Sequence, residues 1–367
     1  MKLTFEHQEL LKSVNIAMKA VSSKTTMPIL ECILIDASAD QIRFISNDME
    51  LGIETIAEGT IIERGMVALH AKTFSEIIRR LPASTVTIET NENYLTRITC
   101  EKAKFDIPGQ AGDTFAYLPI VERNASVSIT QFTLRQMINQ TIFSTAANET
   151  NKIMTGELFE MNSGNLRIVA LDGHRIAIRM QELGADVENR RVIIPGKTLQ
   201  ELSRIIDGGL EDPVTIYFSD NHVIFEFDQT MVLSRLIDGE YFSVDQMLSN
   251  DYETKVSIQK QELINCINRA SLLVRESDKM PVILNITENT MQLSINTAIG
   301  SMDEAMDIEM EGKDIRIGFN PKFLLDALRV IDDEVVTMYF IGPVAPCYIR
   351  DEEGKYNYIV LPVNIAR

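Results

Sequence analysis

A histidine close to a carboxylate, in the segment RIVALDGHRIAI at 167–178, is the first pattern that could do chemistry. Asp172 precedes His174 by two residues, and Arg175 follows directly. A histidine oriented by a carboxylate is a common general base. The chain offers no nucleophile-elbow motif beside this pair. A hydrolase-like enzyme that uses Asp172 and His174 is therefore kept only as an alternative hypothesis.

Two other patterns of reactive residues are also weak. The GKT sequence at 196–198 would need a glycine at position 191 to form a phosphate loop, and that position is Arg191. No CxxC pair occurs, so a zinc site has no support. Scattered single cysteines fit a reducing cytoplasm. We expect no catalytic residues, no metal and no cofactor. The cysteines, 68 or more residues apart, are Cys32, Cys100, Cys266 and Cys347.

The composition is that of a folded, acidic protein. The 367 residues are 45% hydrophobic and carry a net charge of −18, which excludes a disordered chain. Such a chain should repel nucleic acid and anionic membranes on average, although a local basic face could still bind them. No apolar run is long enough to span a membrane, and Glu6 and Glu9 interrupt any signal-peptide core. We expect a cytoplasmic protein with no membrane partner.

The sequence repeats itself three times with a period near 125 residues. One set of β-like runs followed by helical patterns lies at 3–23, 127–147 and 256–276, and a second set at 66–82, 191–207 and 315–332. Alternating hairpin segments separate these sets. The repeats predict an α+β fold of three two-helix, antiparallel-sheet domains, with helices on one side and sheets on the other. The predicted domains are 1–124, 125–250 and 251–367.

Basic residues are concentrated in the six predicted helices. These cover 7–24, 71–81, 130–145, 196–206, 259–279 and 320–330, and together they carry a charge of +8. Because the whole chain is −18, the other residues carry −26, and each predicted helix is individually positive. A shared basic face of this kind is typical of a non-specific nucleic-acid contact. An interaction scaffold with no DNA role remains an alternative.

Three motifs resemble those of a known family. These are MPIL at 27–30, LDGHRIAI at 171–178 and YIVLPV at 358–363. With the three repeats and the basic helices, they make the chain similar to the bacterial sliding clamp, the β subunit of DNA polymerase III. The resemblance implies the DNA clamp fold, in a head-to-tail homodimer that encircles double-stranded DNA and catalyses nothing. It also implies partners that dock through short linear peptides, namely the replicative polymerase, clamp loader subunits and repair proteins.

The resemblance further implies three sets of site residues. The partner-peptide pocket comprises Met154, Leu171, Gly173, His174, Arg175, Ile176, Phe242, Met247, Ile359, Leu361 and Val363. The DNA-facing residues are Lys24, Lys72, Lys152, Lys197, Arg275 and Lys279. The dimer interface involves Ile78, Phe105, Ile107, Leu272 and Leu273. Family members often carry threonine where this chain has Leu171, so the peptide preference stays open.

Overall fold

The computed structural model describes residues 1–22, 25–123, 125–147, 150–184, 187–274 and 280–365. Within these residues the chain forms six α-helices and 26 β-strands. The helices are α1 (His7–Ala17), α2 (Ala71–Arg80), α3 (Gln131–Asn139), α4 (Gly196–Ile205), α5 (Lys260–Ser271) and α6 (Pro321–Val330). The strands, in chain order, are β1 (Lys2–Glu6), β2 (Cys32–Ala37), β3 (Ile42–Asn47), β4 (Leu51–Ala57), β5 (Thr60–Glu63), β6 (Gly65–His70), β7 (Thr85–Thr90), β8 (Leu95–Cys100), β9 (Ala103–Ala111), β10 (Ala125–Thr130), β11 (Gly156–Asn162), β12 (Asn165–Leu171), β13 (Arg175–Glu182), β14 (Arg190–Pro195), β15 (Pro213–Phe218), β16 (His222–Phe227), β17 (Thr230–Arg235), β18 (Thr254–Gln259), β19 (Val282–Thr287), β20 (Thr290–Thr297), β21 (Gly300–Asp307), β22 (Glu309–Gly312), β23 (Ile315–Phe319), β24 (Val335–Phe340), β25 (Cys347–Arg350) and β26 (Tyr356–Val360).

The helices begin within one residue of the predicted starts. The apolar stripe that predicts each helix also forms its buried face. In α1, Leu10, Val14 and Ala17 are fully buried at helical spacing. In α6, the Asn320 side chain accepts a hydrogen bond from the Lys322 N–H and so caps the helix. Three predicted helices are too long, since 3₁₀ turns over 18–20 and 142–144 follow α1 and α3, and α5 ends at Ser271.

The described residues divide into two compact units. The first combines Met1–Leu134 with Glu201–Leu236, and the second combines Arg135–Gln200 with Ile237–Arg367. The first unit contains a 13-stranded sheet in the order β10-β15-β16-β17-β4-β3-β2-β6-β9-β8-β7-β1-β5. The second contains a nine-stranded sheet, β14-β11-β12-β13-β26-β25-β24-β18-β22, and a four-stranded sheet, β21-β20-β19-β23. Neighbouring strands in these sheets run antiparallel. This confirms the expected α+β class, in which parallel βαβ units are absent.

Strand pairing joins consecutive sequence repeats. In the first unit, β17 of the second repeat pairs with β4 of the first, from Thr230 opposite Thr55 to Ser234 opposite Leu51. In the second unit, β26 of the third repeat pairs in the same way with β13 of the second. The sheets therefore continue across the predicted domain boundaries, which themselves stay a prediction.

Each unit has its own apolar core. In the first unit α1 and α2 pack together over a cluster that includes Leu3, Phe44 and Phe74. In the second unit α5 and α6 pack together over a cluster that includes Leu293 and Leu328. All four cysteines are buried and free. Among the described residues, no helix is long and apolar enough to cross a membrane.

Candidate functional site

The DGHR segment forms a tight turn between β12 and β13. The Asp172 Oδ1 atom accepts hydrogen bonds from the backbone N–H groups of His174 and Arg175, at 2.9 and 3.1 Å. Gly173 adopts a φ of +86°, in the left-handed region where a side chain is strained. The aspartate and the glycine thus serve the same purpose, which is to reverse the chain within three residues.

Arg175 fixes this turn to its surroundings. Its guanidinium forms ion pairs with Asp172 at 3.0 Å and with Asp326 of α6 at 2.6 Å, and it donates to the Phe143 carbonyl. The Arg175 guanidinium carbon also lies 4.5 Å from the centre of the Phe323 ring. The guanidinium carbon is also 5.4 Å from the centre of the Phe143 ring. The side chain is 7% exposed, so a buried charge is balanced here by two carboxylates and two aromatic faces.

The same geometry argues against an Asp172–His174 acid–base pair. Both carboxylate oxygens of Asp172 are occupied, Oδ1 by two backbone N–H groups and Oδ2 by the Arg175 Nε atom. The His174 ring instead stacks on Phe323, with ring centres 5.8 Å apart. His174 therefore forms an exposed wall beside the turn, and Asp172 acts on the backbone.

An apolar cluster lies next to the turn and gathers five of the predicted pocket residues. Leu171, Ile176 and Ile359 are buried members, and Met154 and Phe242 pack against them with part of their surface exposed. We call this group the pocket cluster. Its other members are Leu158, Val169, Ile178, Ile193, Ile237, Tyr241, Val244, Tyr339 and Tyr348, with Ile153 and Ile341 partly buried.

Six predicted pocket residues stand outside the pocket cluster. Three of them, Gly173, His174 and Arg175, form the turn itself, and the other three are Met247, Leu361 and Val363. Met247 is 50% exposed, and its carbonyl accepts a hydrogen bond from the Tyr348 hydroxyl at 2.9 Å. Leu361 is 41% exposed, and its N–H donates to the His174 carbonyl. Both residues therefore border the cluster. The Val363 N–H donates to Gly318 in β23, so the structure ties Val363 to a strand that contributes no residue to the cluster.

Sequence reasoning missed several residues of the pocket cluster, and Tyr241 is the clearest example. Its hydroxyl donates to the carbonyls of Gly156 and Val169 at 3.4 and 3.2 Å. Burial raises the pKa of Tyr241 well above its ordinary value, so it stays a neutral donor. The motif match predicts the neighbouring Phe242 as a pocket residue, but nothing local in DGEYFS indicates which of the two rings points inward.

The predicted interface residues differ in exposure. Leu272 is 80% exposed and Phe105 is 40% exposed, whereas Ile107 and Leu273 are half-buried. Ile78 is wrong as an interface residue, because its side chain is fully buried in the core of the first unit. The helical stripe of α2 turns Ile78 inward with Phe74, and the exposed residues of its last turn are Arg79 and Arg80.

Three of the predicted DNA-facing residues, Lys72, Lys152 and Lys197, are exposed. The other three, Lys24, Arg275 and Lys279, lie outside the described residues. With the observed helix bounds, the six helices carry 11 basic and 5 acidic residues, a net charge of +6. The expectation that every helix is positive is wrong for α1, where Glu9 balances Lys12 and the helix ends before Lys19.

Comparison with known proteins gives the family. Models of the N-terminal, central and C-terminal domains of the DNA polymerase III beta subunit match residues 1–119, 128–242 and 245–364. The chain belongs to the DNA polymerase III beta subunit family. The beta sliding clamp of Bacillus subtilis is 35% identical over 99% of both chains.

Solved structures of this family share the fold over the whole length. A DNA polymerase III beta subunit from Eubacterium rectale is 59% identical, with a TM-score of 0.95 and full coverage of both chains. The sliding clamp of Bacillus subtilis is 34% identical, again with a TM-score of 0.95 and full coverage. The chain is thus a sliding clamp of the bacterial replication machinery, a processivity factor for DNA polymerase, and the hydrolase alternative is not favoured.

Proposed function

We propose that two copies of this chain close head-to-tail into a ring around double-stranded DNA. In this proposal the domains are 1–124, 125–250 and 251–367, the six helices line the hole, and the sheets form the outside. The ring catalyses nothing and acts in the cytoplasm. Because it is linked to DNA by topology, it can slide without holding any base.

The observation that carries this proposal is a pair of strand edges left open within one chain. Each repeat contains two groups of three consecutive strands, such as β2–β4 and β7–β9 in the first repeat. The last strand of the first group pairs with the last strand of the second group in the following repeat. Thus β4 pairs with β17, and β13 pairs with β26. The third such pair would need β21 and β9. Among the described residues, β21 pairs only with β20, and 103–108 of β9 pair only with β8. A β21–β9 pair between two copies completes the series.

Apolar residues that keep exposed surface beside these edges support the same contact. Phe105 and Ile107 lie on β9, and Leu272 directly follows α5, which packs on β20 and β21. The two surfaces differ from one another, so the contact is heterologous, and two copies close a ring if the rotation closes. Open strand edges also invite uncontrolled pairing, and ring closure would remove them.

The basic helices suit contact with the DNA backbone. Lys72, Lys152 and Lys197 would meet phosphates without reading sequence, as would Lys24, Arg275 and Lys279. A few such contacts give weak, salt-sensitive binding, which favours sliding. The acidic remainder of the chain would keep DNA from binding elsewhere on the surface.

The pocket cluster suits short peptides with apolar anchors. Buried side chains such as Ile176 and Ile359 provide a floor, while Met154, Phe242 and Met247 keep exposed surface around it. The occupants would be segments of the replicative polymerase, clamp loader subunits and repair proteins. Tethering a polymerase in this way raises its effective concentration at the template without any new catalytic group.

Retention on closed DNA tests the proposal. Clamp loaded onto nicked circular DNA should stay bound through gel filtration in high salt, and cutting the circle once should release it. Release before cutting, or retention after it, would contradict a topological link. A non-encircling scaffold would give the same elution on both forms of DNA.

A further inference from the structure

The turn between β3 and β4 has the same geometry as the DGHR turn. Asn47 pairs with Gly52 across the first turn and Leu171 with Ile176 across the second, so equivalent positions differ by 124. Asp48 stands where Asp172 does. Its Oδ1 atom accepts from the N–H groups of the second and third residues that follow, at 3.1 and 2.7 Å, as the Asp172 Oδ1 atom does.

Two further backbone features of the β3–β4 turn match those of the DGHR turn. Met49 has a φ of +76°, close to the +86° of the equivalent Gly173. The N–H of Arg235, at the end of β17, donates to the Glu50 carbonyl at 2.9 Å, as the Leu361 N–H after β26 does to the His174 carbonyl. A methionine in the left-handed region is unfavourable, so the surrounding structure holds this turn in place.

A cavity of about 290 Å³ lies beside the first turn, inside the first unit. Its apolar wall is formed by Met49, Tyr117, Leu118, Pro119 and Leu233. Met49 and Tyr117 are 60% and 47% exposed, so the wall is open to solvent. The volume suits one large apolar side chain.

The floor of this cavity differs from that of the pocket cluster at Gly52. Gly52 stands where the second turn has Ile176, and a Cβ atom there would lie 2.0 Å from the Leu118 Cδ2 atom. The missing side chain lets Leu118 lie directly on β4. The segment 116–119, and not the strand, therefore supplies the apolar floor.

The rim of the cavity carries a carboxylate at the position where the second turn has an imidazole. Glu50, at the position of His174, lines it directly. The carboxylates of Asp36, Asp113 and Glu54 contribute to raising the pKa of the Tyr117 hydroxyl, with burial as the main cause and Arg43 in opposition. Burial and then Arg235 lower the pKa of His222, so the imidazole adds no charge at neutral pH.

We propose that this cavity is a second docking site, for a short extended peptide that presents one large apolar side chain next to a lysine or arginine. The apolar side chain enters between Leu118 and Leu233, and the cation faces the Glu50 carboxylate. The second turn, with His174 in place of Glu50, does not select for that cation. The inference rests on the proposed peptide-binding role of the pocket cluster.

Photo-crosslinking to the intact clamp tests this site. The probe is a hexapeptide with a photoreactive phenylalanine analogue followed by lysine, and its matched partner carries glutamate instead. Crosslinks are mapped by mass spectrometry to 116–119 or to 241–247. The lysine peptide should label both segments, and the glutamate peptide should label 116–119 about tenfold less, since close charge pairs affect peptide binding at this scale.

Glu50→Gln should reduce labelling of 116–119 about tenfold and leave 241–247 unchanged, since only the first rim loses its carboxylate. Glu92→Gln, an exposed acid away from the cavity, is the matched control. Labelling of 241–247 alone, or equal labelling of 116–119 by both peptides, would overturn the second site and leave the first proposal intact. Loss of label at 241–247 with label kept at 116–119 would count against the pocket cluster only.

Discussion

Glu157 is the second residue of β11, and its side chain is fully buried next to the pocket cluster. Neither carboxylate oxygen has a hydrogen-bond partner among the described residues. Burial raises the pKa of Glu157 well above 4.5. Folding therefore favours the protonated form of this carboxyl, because an unpaired buried charge is costly.

This protonation links stability to pH. Above about 4.5 the unfolded chain loses the proton that the folded protein keeps, so the free energy of unfolding falls as pH rises towards the folded pKa. Glu157→Gln replaces the acid with a neutral side chain and should remove that slope. We expect the variant to gain stability relative to the natural chain as the pH rises from 4.5 to 8, by about 1.4 kcal/mol for each tenfold weakening of the acid on folding.

Urea unfolding at both pH values measures this difference. Glu92→Gln, an exposed substitution of the same chemistry, should leave the pH slope unchanged. Equal slopes for the Glu157→Gln variant and the natural chain would show that Glu157 is charged in the folded state.

The strands of this fold offer edges for pairing with other strands as well as faces for packing. Among the described residues, β21 pairs only with β20 and 103–108 of β9 pair only with β8, so each strand has one open edge. The proposed dimer depends on residues at these two edges. Leu272 directly follows α5, which packs on β21, and it does not belong to the core, whereas Leu273 packs against buried residues of its own unit.

Leu272→Glu should therefore yield monomers while leaving the fold stable. A charge placed in an apolar interface costs several kcal/mol, but the same charge on a side chain that is 80% exposed in the monomer costs little. Sedimentation velocity reports the mass, and thermal unfolding reports the stability. Leu210→Glu, at another exposed leucine, is the control and should stay dimeric. An unchanged dimer mass in the Leu272→Glu variant refutes this assignment.

At the scale of the whole molecule, positive charge is concentrated in the helices and negative charge in the rest of the chain. The chain carries −18 in total, yet its helices carry +6. In the proposed ring this partition confines the attraction for phosphates to the hole. For DNA binding, the positions of the lysines should thus matter more than how many lysines the chain has.

The triple variant Lys72→Ala, Lys152→Ala, Lys197→Ala should bind DNA more weakly and with less salt dependence. The slope of log affinity against log salt should fall by roughly one for each phosphate that no longer meets a lysine. The control removes the same charge from strand-side and loop positions, as Lys102→Ala, Lys313→Ala, Lys355→Ala, all exposed. Equal effects of the two triple variants on retention would contradict the inner basic face.

The amino-acid sequence by itself determined the three repeats, the hairpins and the starts of the helices. These depend on local periodicity and on turn residues, such as the aspartate and glycine of DGHR, whose effect is complete within a few residues. The resemblance to the family added the pocket residues, and five of them lie in one cluster.

Only the tertiary structure decided which distant segments meet. Thr55 and Thr230 share a hydrogen bond across 175 residues of chain, and no local pattern identifies that pair. The same applies to Ile78, which an amphipathic pattern leaves ambiguous until its neighbours bury it, and to Tyr241, whose hydroxyl finds two carbonyls from separate strands. Local rules set the elements, whereas burial and strand pairing depend on contacts between residues far apart in sequence.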